Sequence, residues 1–287
     1  MLPLLRALRP KQWTKNLFVV APLVFGRAFF RLDAATATLA TAAAFCAVAS
    51  ALYLVNDVAD REEDRVHPVK RHRPIASDEL GVGTALAAAL VLLVGGLAVV
   101  AAAAPPALPI VAGYALVTMA YSFGLKRVAL LDVFVIASGF VLRVLAGAAA
   151  AGVKPSHWLL LCTFFVALFL GLSKRRSELF ASGATSRRSL ADLPLDLIDS
   201  FENVALGTTI VSYALYTVAP ETVAWIGSDR LLVTVPFVVY GLFRWRLLEV
   251  RGGGEDASND LFTDRGLLAT VLLWGLACGA LIYGIPR

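Results

Sequence analysis

Nine stretches of this chain, near residues 13–30, 35–57, 82–103, 107–125, 129–151, 156–173, 202–219, 229–248 and 264–284, are long and apolar enough to read as membrane-crossing helices. About 20 helical residues span the hydrocarbon core of a bilayer. No water satisfies backbone amides and carbonyls inside that core, so such stretches must close their hydrogen bonds within helices. Composition agrees, since 59% hydrophobic residues and a mean hydropathy of +0.75 over 287 residues exceed what a soluble domain of this size carries. The expectation is an all-α, polytopic transmembrane helical bundle of about nine spans, a single integral membrane domain over residues 1–287. The two longest polar stretches, 58–81 and 174–200, are loop-sized and leave no room for a soluble domain. The first span is the weakest of the nine. Pro22, Gly26 and Arg27 interrupt it, and its start, RPKQWTKN, can lie along the membrane interface.

The basic residues orient the bundle. Of the 26 Lys and Arg residues, twenty fall on the side of the N-terminus and of the loops at 61–73, 126–127, 174–188 and 244–265. Five (Arg27, Arg31, Lys154, Arg230 and Arg287) fall on the other, and Arg143 alone lies inside a span. The positive-inside rule then places the N-terminus and the large loops in the cytoplasm, with the protein in the cytoplasmic membrane. The sequence pI near 9.3 reflects that orientation and calls for no nucleic acid. Residues 1–16 lack a short apolar core followed by a small-residue cleavage site, so no cleaved leader is expected. Cys46, Cys162 and Cys278 each sit in an apolar run without a nearby ligand, a packing pattern rather than a metal or disulfide one.

Residues 56–64, NDVADREED, carry the chemistry. Asn56, Asp57, Asp60 and Asp64 stand at helical spacing at the cytoplasmic mouth of the second span, where the three carboxylates would share one face. Like charges at that spacing repel, and desolvation at the membrane boundary adds to the cost, so a positive group must sit among them. Mg2+, with Mn2+ as a substitute, is the expected occupant. It takes oxygen ligands, keeps part of its water and is completed by substrate phosphates, which points to an enzyme handling a diphosphate with Asp57, Asp60 and Asp64 as metal ligands.

Four further clusters are expected on the same side. HPVKRHRP, residues 67–74, sets Lys70 and Arg73 in a short loop between Pro68 and Pro74, able to fold back on phosphate. YSFGLKRVALLD, residues 121–132, offers Tyr121 and Lys126 to substrate, and Asp132 either to substrate or as a helix cap. Arg143 is eleven residues into its span, too deep to face lipid, and is expected in an internal polar cavity holding either a carboxylate or an anionic substrate. In SKRRSEL, residues 173–179, Glu178 can share a face with Lys174 or Arg175.

These residues resemble a known family. The NDxxDxxxD motif with about nine spans is similar to the UbiA superfamily of membrane prenyltransferases, and the resemblance covers nearly the whole chain. Where aromatic prenyltransferases of that superfamily carry a second aspartate-rich motif, this chain reads KRRSELFASGATSRRSL. Five ordered patterns match the decaprenyl-phosphate phosphoribosyltransferase branch instead. They are RPxQWxKN (Arg9 to Asn16), NDxxDxxxDxxHPxKxxRP (Asn56 to Pro74), YxxxLK (Tyr121 to Lys126), FxLRxxAG (Phe140 to Gly147) and KRxxEL (Lys174 to Leu179).

The resemblance implies a UbiA-like fold with a cytoplasm-facing cavity and transfer of 5-phosphoribose from phosphoribosyl diphosphate (PRPP) to decaprenyl or another polyprenyl phosphate. The product is the lipid-linked precursor of the arabinose donor for cell-envelope glycans. Asp57, Asp60, Lys126 and Arg143 would be catalytic, and Lys15, Asn16, Asn56, Lys70, Arg73, Tyr121, Lys174, Arg175 and Glu178 would bind substrate. A homo-oligomer is compatible with the resemblance. Lys15 and Asn16 are expected at a lateral gate for the lipid, with Trp13 at the interface and Gln12 and Asn16 one turn apart facing the cavity. The alternative is an aromatic or quinone-precursor prenyltransferase whose aspartates hold a polyprenyl diphosphate.

Overall fold

A computed structural model of the chain describes residues 2–182, 194–252 and 257–284. Arg187, Arg188 and Arg287, which entered the reading of the charges, lie outside the described residues. Among the described residues every regular element is helical. The chain divides into two compact units, Met1–Lys126 with Leu142–Lys154, and Arg127–Val141 with Pro155–Arg287.

The first unit starts with α1 (Pro3–Ala7), a ten-residue 3-10 helix (Pro10–Val19) and α2 (Ala21–Phe25). The long α3 (Leu32–Ala59) follows, then α4 (Arg61–Val66), α5 (Val82–Ala103) and α6 (Leu108–Phe123). The second half of α7 (Leu131–Ala151) completes the unit, and its first half opens the other. The second unit continues with α8 (His157–Ser182), α9 (Leu195–Val218), α10 (Pro220–Ile226), α11 (Val235–Val250), α12 (Ala257–Thr263) and α13 (Arg265–Tyr283).

Among the described residues seven helices are long and apolar enough to cross a membrane: Leu32–Ala59, Val82–Ala103, Pro105–Phe123, Leu131–Ala151, His157–Leu179, Arg230–Val250 and Arg265–Tyr283. The expected count of nine is not matched, and both differences have local causes. The stretch at 13–30 begins with a 3-10 helix after Pro10 and passes at Val20 into a five-residue α-helix. Three residues per turn line up Trp13, Asn16 and Val19 on one edge, so Gln12, expected beside Asn16, turns elsewhere. The stretch at 202–219 lies in α9, which is 24 residues long, but Glu202, Asn203, Thr208, Thr209 and Ser212 make it less apolar than the seven.

Small residues let the helices of the first unit close together, as expected where lipid gives no hydrophobic drive for association. A Cβ on Gly96 of α5 would lie 2.8 Å from Val48 Cγ2 and 3.1 Å from the Ala44 carbonyl oxygen on α3. Gly147 of α7 abuts the Val19 carbonyl with no room for a Cβ at all. Around these approaches Val19, Phe45, Val48, Leu52, Val100, Val111 and Ala146 form one core, while Ala7, Ala51, Leu54, Ile75, Leu80 and Ala85 form another under the N-terminal segment. In the second unit Val133, Phe169, Leu172, Ala205, Leu242, Trp245 and Leu267 pack together.

Candidate active site

The last turn of α3 delivers Asn56 and Asp57 to the end of the first unit. The helix breaks at Asp60 and restarts as α4, which carries Asp64, so the carboxylates do not share one continuous helical face. Asp57 is only 2% exposed and Asp64 is buried too. At an effective dielectric near 20, two unit charges about 4 Å apart interact by about 4 kcal/mol, so three carboxylates here require counter-ions. The protein supplies three. Arg73 Nη1 donates to Asp57 Oδ1 at 3.1 Å and to Asp64 Oδ2 at 2.6 Å. Arg9 Nη2 donates to the same Asp57 Oδ1 at 2.5 Å. Lys126, buried in the turn after α6, donates to Asp60 Oδ1, while Asn56 Nδ2 holds the other Asp60 oxygen at 3.1 Å.

Arg9 is the member that sequence reasoning missed, having given it a place among the positive charges and in a motif but no role in the site. Its backbone is left-handed (φ 54°), an uncommon and costly state for a residue with a Cβ. The chain is pinned there from both sides. Trp13 Nε1 donates to Ser50 Oγ at 3.0 Å, and Ser50 Oγ donates to the Leu8 carbonyl at 2.9 Å. The Arg9 guanidinium then passes over the Tyr53 ring, 4.9 Å from its centroid, to reach Asp57. Ser50, Tyr53 and Asp57 are three and seven residues apart, on one face of α3. The visible signal was that Arg9 opens the RPxQWxKN pattern.

Deeper in the same unit Arg143 is 5% exposed. Its Nε donates to Asn16 Oδ1 at 2.8 Å, its Nη2 donates to the Tyr114 hydroxyl at 2.8 Å, and its guanidinium lies 4.5 Å from the Tyr114 ring centroid and 5.6 Å from that of Phe45. Asn16 also reaches Cys46 Sγ at 3.2 Å. The 3-10 edge thus carries Asn16 inward to an arginine on α7, and Tyr114, on α6, is a partner that no local pattern announced. Lys15, Lys70 and Tyr121 are half-buried in this unit. His67 organises the loop, its Nδ1 accepting from the amides of Val69 (3.2 Å) and Lys70 (3.3 Å).

In the second unit Arg175 is buried and ion-paired with two carboxylates, Asp132 Oδ2 at 2.7 Å from its Nε, and Glu178. Asp132, the second residue of α7, also accepts from the Val133 amide with Oδ1 at 2.7 Å. Lys174 is exposed, and Glu178 meets Arg175. Unanticipated is a second ionic set. Arg246 Nη1 reaches Glu202 and Glu249, each at 2.6 Å, and Asp199 takes Arg246 Nη2 at 2.9 Å and Arg176 Nε at 2.6 Å.

The donor set of the first unit suits Mg2+ with a phosphate ligand. Among the described residues no three Asp, Glu, His or Cys side chains are arranged to hold a metal by themselves. Magnesium needs only one or two carboxylates when substrate phosphates and water complete its shell. Arg73 Nη1 marks a point where two carboxylates converge on a single cation, the feature such an ion exploits.

Comparison with known proteins gives one consistent neighbourhood. The profile of the UbiA prenyltransferase family matches residues 18–265. The decaprenyl-phosphate phosphoribosyltransferase of Corynebacterium glutamicum is 34% identical over 99% of this chain and 87% of its own length. That of Mycolicibacterium smegmatis is 32% identical over 98% and 92%. Among solved structures, a UbiA homologue from Archaeoglobus fulgidus bound to GPP and Mg2+ has a TM-score of 0.71 at 19% identity, covering 99% of this chain and 100% of that one.

Proposed function

The chain belongs to the UbiA prenyltransferase family, and on that premise we propose that it transfers 5-phosphoribose from PRPP to a polyprenyl phosphate such as decaprenyl phosphate, releasing diphosphate. The observation that carries this reading is identity above 30% over nearly the full length to proteins bearing that activity in their name. It is supported by arginine-rich chemistry at Lys174 to Glu178, where an aromatic prenyltransferase would present further aspartates. The product class is the lipid-linked precursor of an arabinose donor for cell-envelope glycans.

In this reading a lipid phosphate oxygen attacks C1 of the ribose, the new C1–O bond forming as the bond to diphosphate breaks and diphosphate leaves with the electron pair. The nucleophile is already ionised at neutral pH, so no general base is required, and attack opposite the leaving group gives the β-linked product. Asp57, Asp60 and Asp64, together with the substrate phosphates, would hold Mg2+, which would supply neutralisation of the departing diphosphate. Asn56 fixes Asp60, while Lys126, Arg73 and Lys70 present cations to the diphosphate. Arg143, steadied by Asn16 and Tyr114, is assigned to an anionic group of the lipid, with Lys15 drawing that phosphate in. An anion-binding role is assigned to Lys174 and Arg175, with Glu178 orienting Arg175, and Tyr121 is assigned to substrate contact. The aspartate-bearing end faces the cytoplasm.

The alternative, prenyl transfer to an aromatic acceptor, has in its favour the fold shared with a homologue that binds GPP and Mg2+. One assay separates the two. Membranes carrying the protein are offered labelled PRPP with polyprenyl phosphate, and separately a polyprenyl diphosphate with an aromatic acid, each with and without EDTA. Metal-dependent label in lipid from the first pair alone is expected, and product from the second pair alone overturns the proposal.

A further inference from the structure

We propose that Arg9 is an exchangeable counter-ion: it occupies Asp57 until metal and diphosphate arrive together, then transfers its guanidinium from the carboxylate to a diphosphate oxygen. The inference rests on the metal–diphosphate reading above and adds to it a residue and an order of binding.

The three cations paired with these carboxylates are not held alike. Arg73 is shared between Asp57 and Asp64, and Lys126 is buried against Asp60. Arg9 reaches Asp57 Oδ1, which Arg73 already serves, and its side chain is 29% exposed where Asp57 is 2% exposed. It is therefore the cation whose departure leaves every carboxylate paired, and solvent already reaches it. Its anchor is independent of the ion pair, because Leu8 and Trp13 tie the flanking backbone to Ser50 and the stem lies over Tyr53. The head can move while the left-handed backbone stays.

Charge arithmetic sets the order. Asp57, Asp60 and Asp64 are balanced by Arg9, Arg73 and Lys126, so a divalent ion arriving alone would enter a neutral cluster and compete with a guanidinium for Asp57. A divalent ion with a diphosphate brings anionic oxygens that accept the displaced guanidinium in two parallel hydrogen bonds. Metal alone should then bind poorly, and metal with diphosphate well. Losing Arg9 should move the two affinities in opposite directions, which a merely structural arginine would not do.

Calorimetry on the detergent-purified full chain tests this with Mn2+ alone and with Mn2+ plus inorganic diphosphate. Arg9→Ala should bind Mn2+ alone about fivefold tighter and Mn2+–diphosphate about tenfold weaker. Arg9→Lys, which keeps the charge and loses the fork, should stay near wild type for Mn2+ alone and still weaken diphosphate binding. It also covers the case in which the alanine variant does not fold. Unchanged affinities, or both moving together, overturn the role of Arg9 and leave the metal site standing. A wild-type protein that takes up no Mn2+–diphosphate overturns both.

Discussion

Arg73 holds two buried carboxylates with one nitrogen, so its loss strands Asp64, while Arg9 still serves Asp57. Breaking a buried pair from one side costs about 3–5 kcal/mol. Arg73→Ala should therefore lower the melting temperature clearly more than Arg9→Ala, and equal melting curves would contradict the sharing of charge described here. Asp57→Asn has the reverse profile. It leaves two guanidiniums that solvent can reach, so folding is largely kept, while turnover should fall by about two orders of magnitude or more from loss of a metal ligand. Size-exclusion recovery measured beside specific activity separates the two. For Arg143 the informative measurement is a cycle with Asn16: Arg143→Gln and Asn16→Ala should couple by about 0.5–3 kcal/mol in kcat/KM for the lipid, and additivity would dissociate them.

The 3-10 edge formed by Trp13, Asn16 and Val19 depends on one glycine. A methyl group at Gly147 would collide with the Val19 carbonyl, and backbone cannot rotate aside as a side chain can. Gly147→Ala should destabilise by about 1–3 kcal/mol and raise the Michaelis constant for polyprenyl phosphate by shifting Asn16, whereas Gly113→Ala, which meets nothing within 4 Å, should do neither. The long spans were legible because twenty apolar residues leave a bilayer one solution. The 3-10 segment was not, since three- and four-residue periods differ little over ten residues and Pro10, Pro22 and Gly26 blur both. The aspartates were legible as a motif, but their cations come from segments 9 to 66 residues away, as with Arg73 and Lys126. The reach of Arg246 to Glu202, 44 residues away, was invisible for the same reason.

Orientation is a property of the whole chain, and the expectation that twenty basic residues fall on one side against five on the other has a direct test. Ser77→Cys and Asp229→Cys place thiols at exposed positions on loops assigned to opposite faces. An impermeant maleimide applied to intact cells should label the second and reach the first only after permeabilisation, and the reverse pattern would invert the topology. The tie of the N-terminal segment to Ser50 and Asp57 also bears on how the protein is made. Leu8 and Arg9 are translated 42 and 48 residues before the groups that capture them. At roughly 5–20 residues per second the leading segment waits several seconds for its dock. Lys126 reaches Asp60 only after 66 residues, and Arg143 follows Asn16 by 127. The nascent chain thus carries its acidic cluster partly uncompensated until the sixth helix is made, and the buried arginine on the seventh is the last of these four contacts that synthesis allows to form.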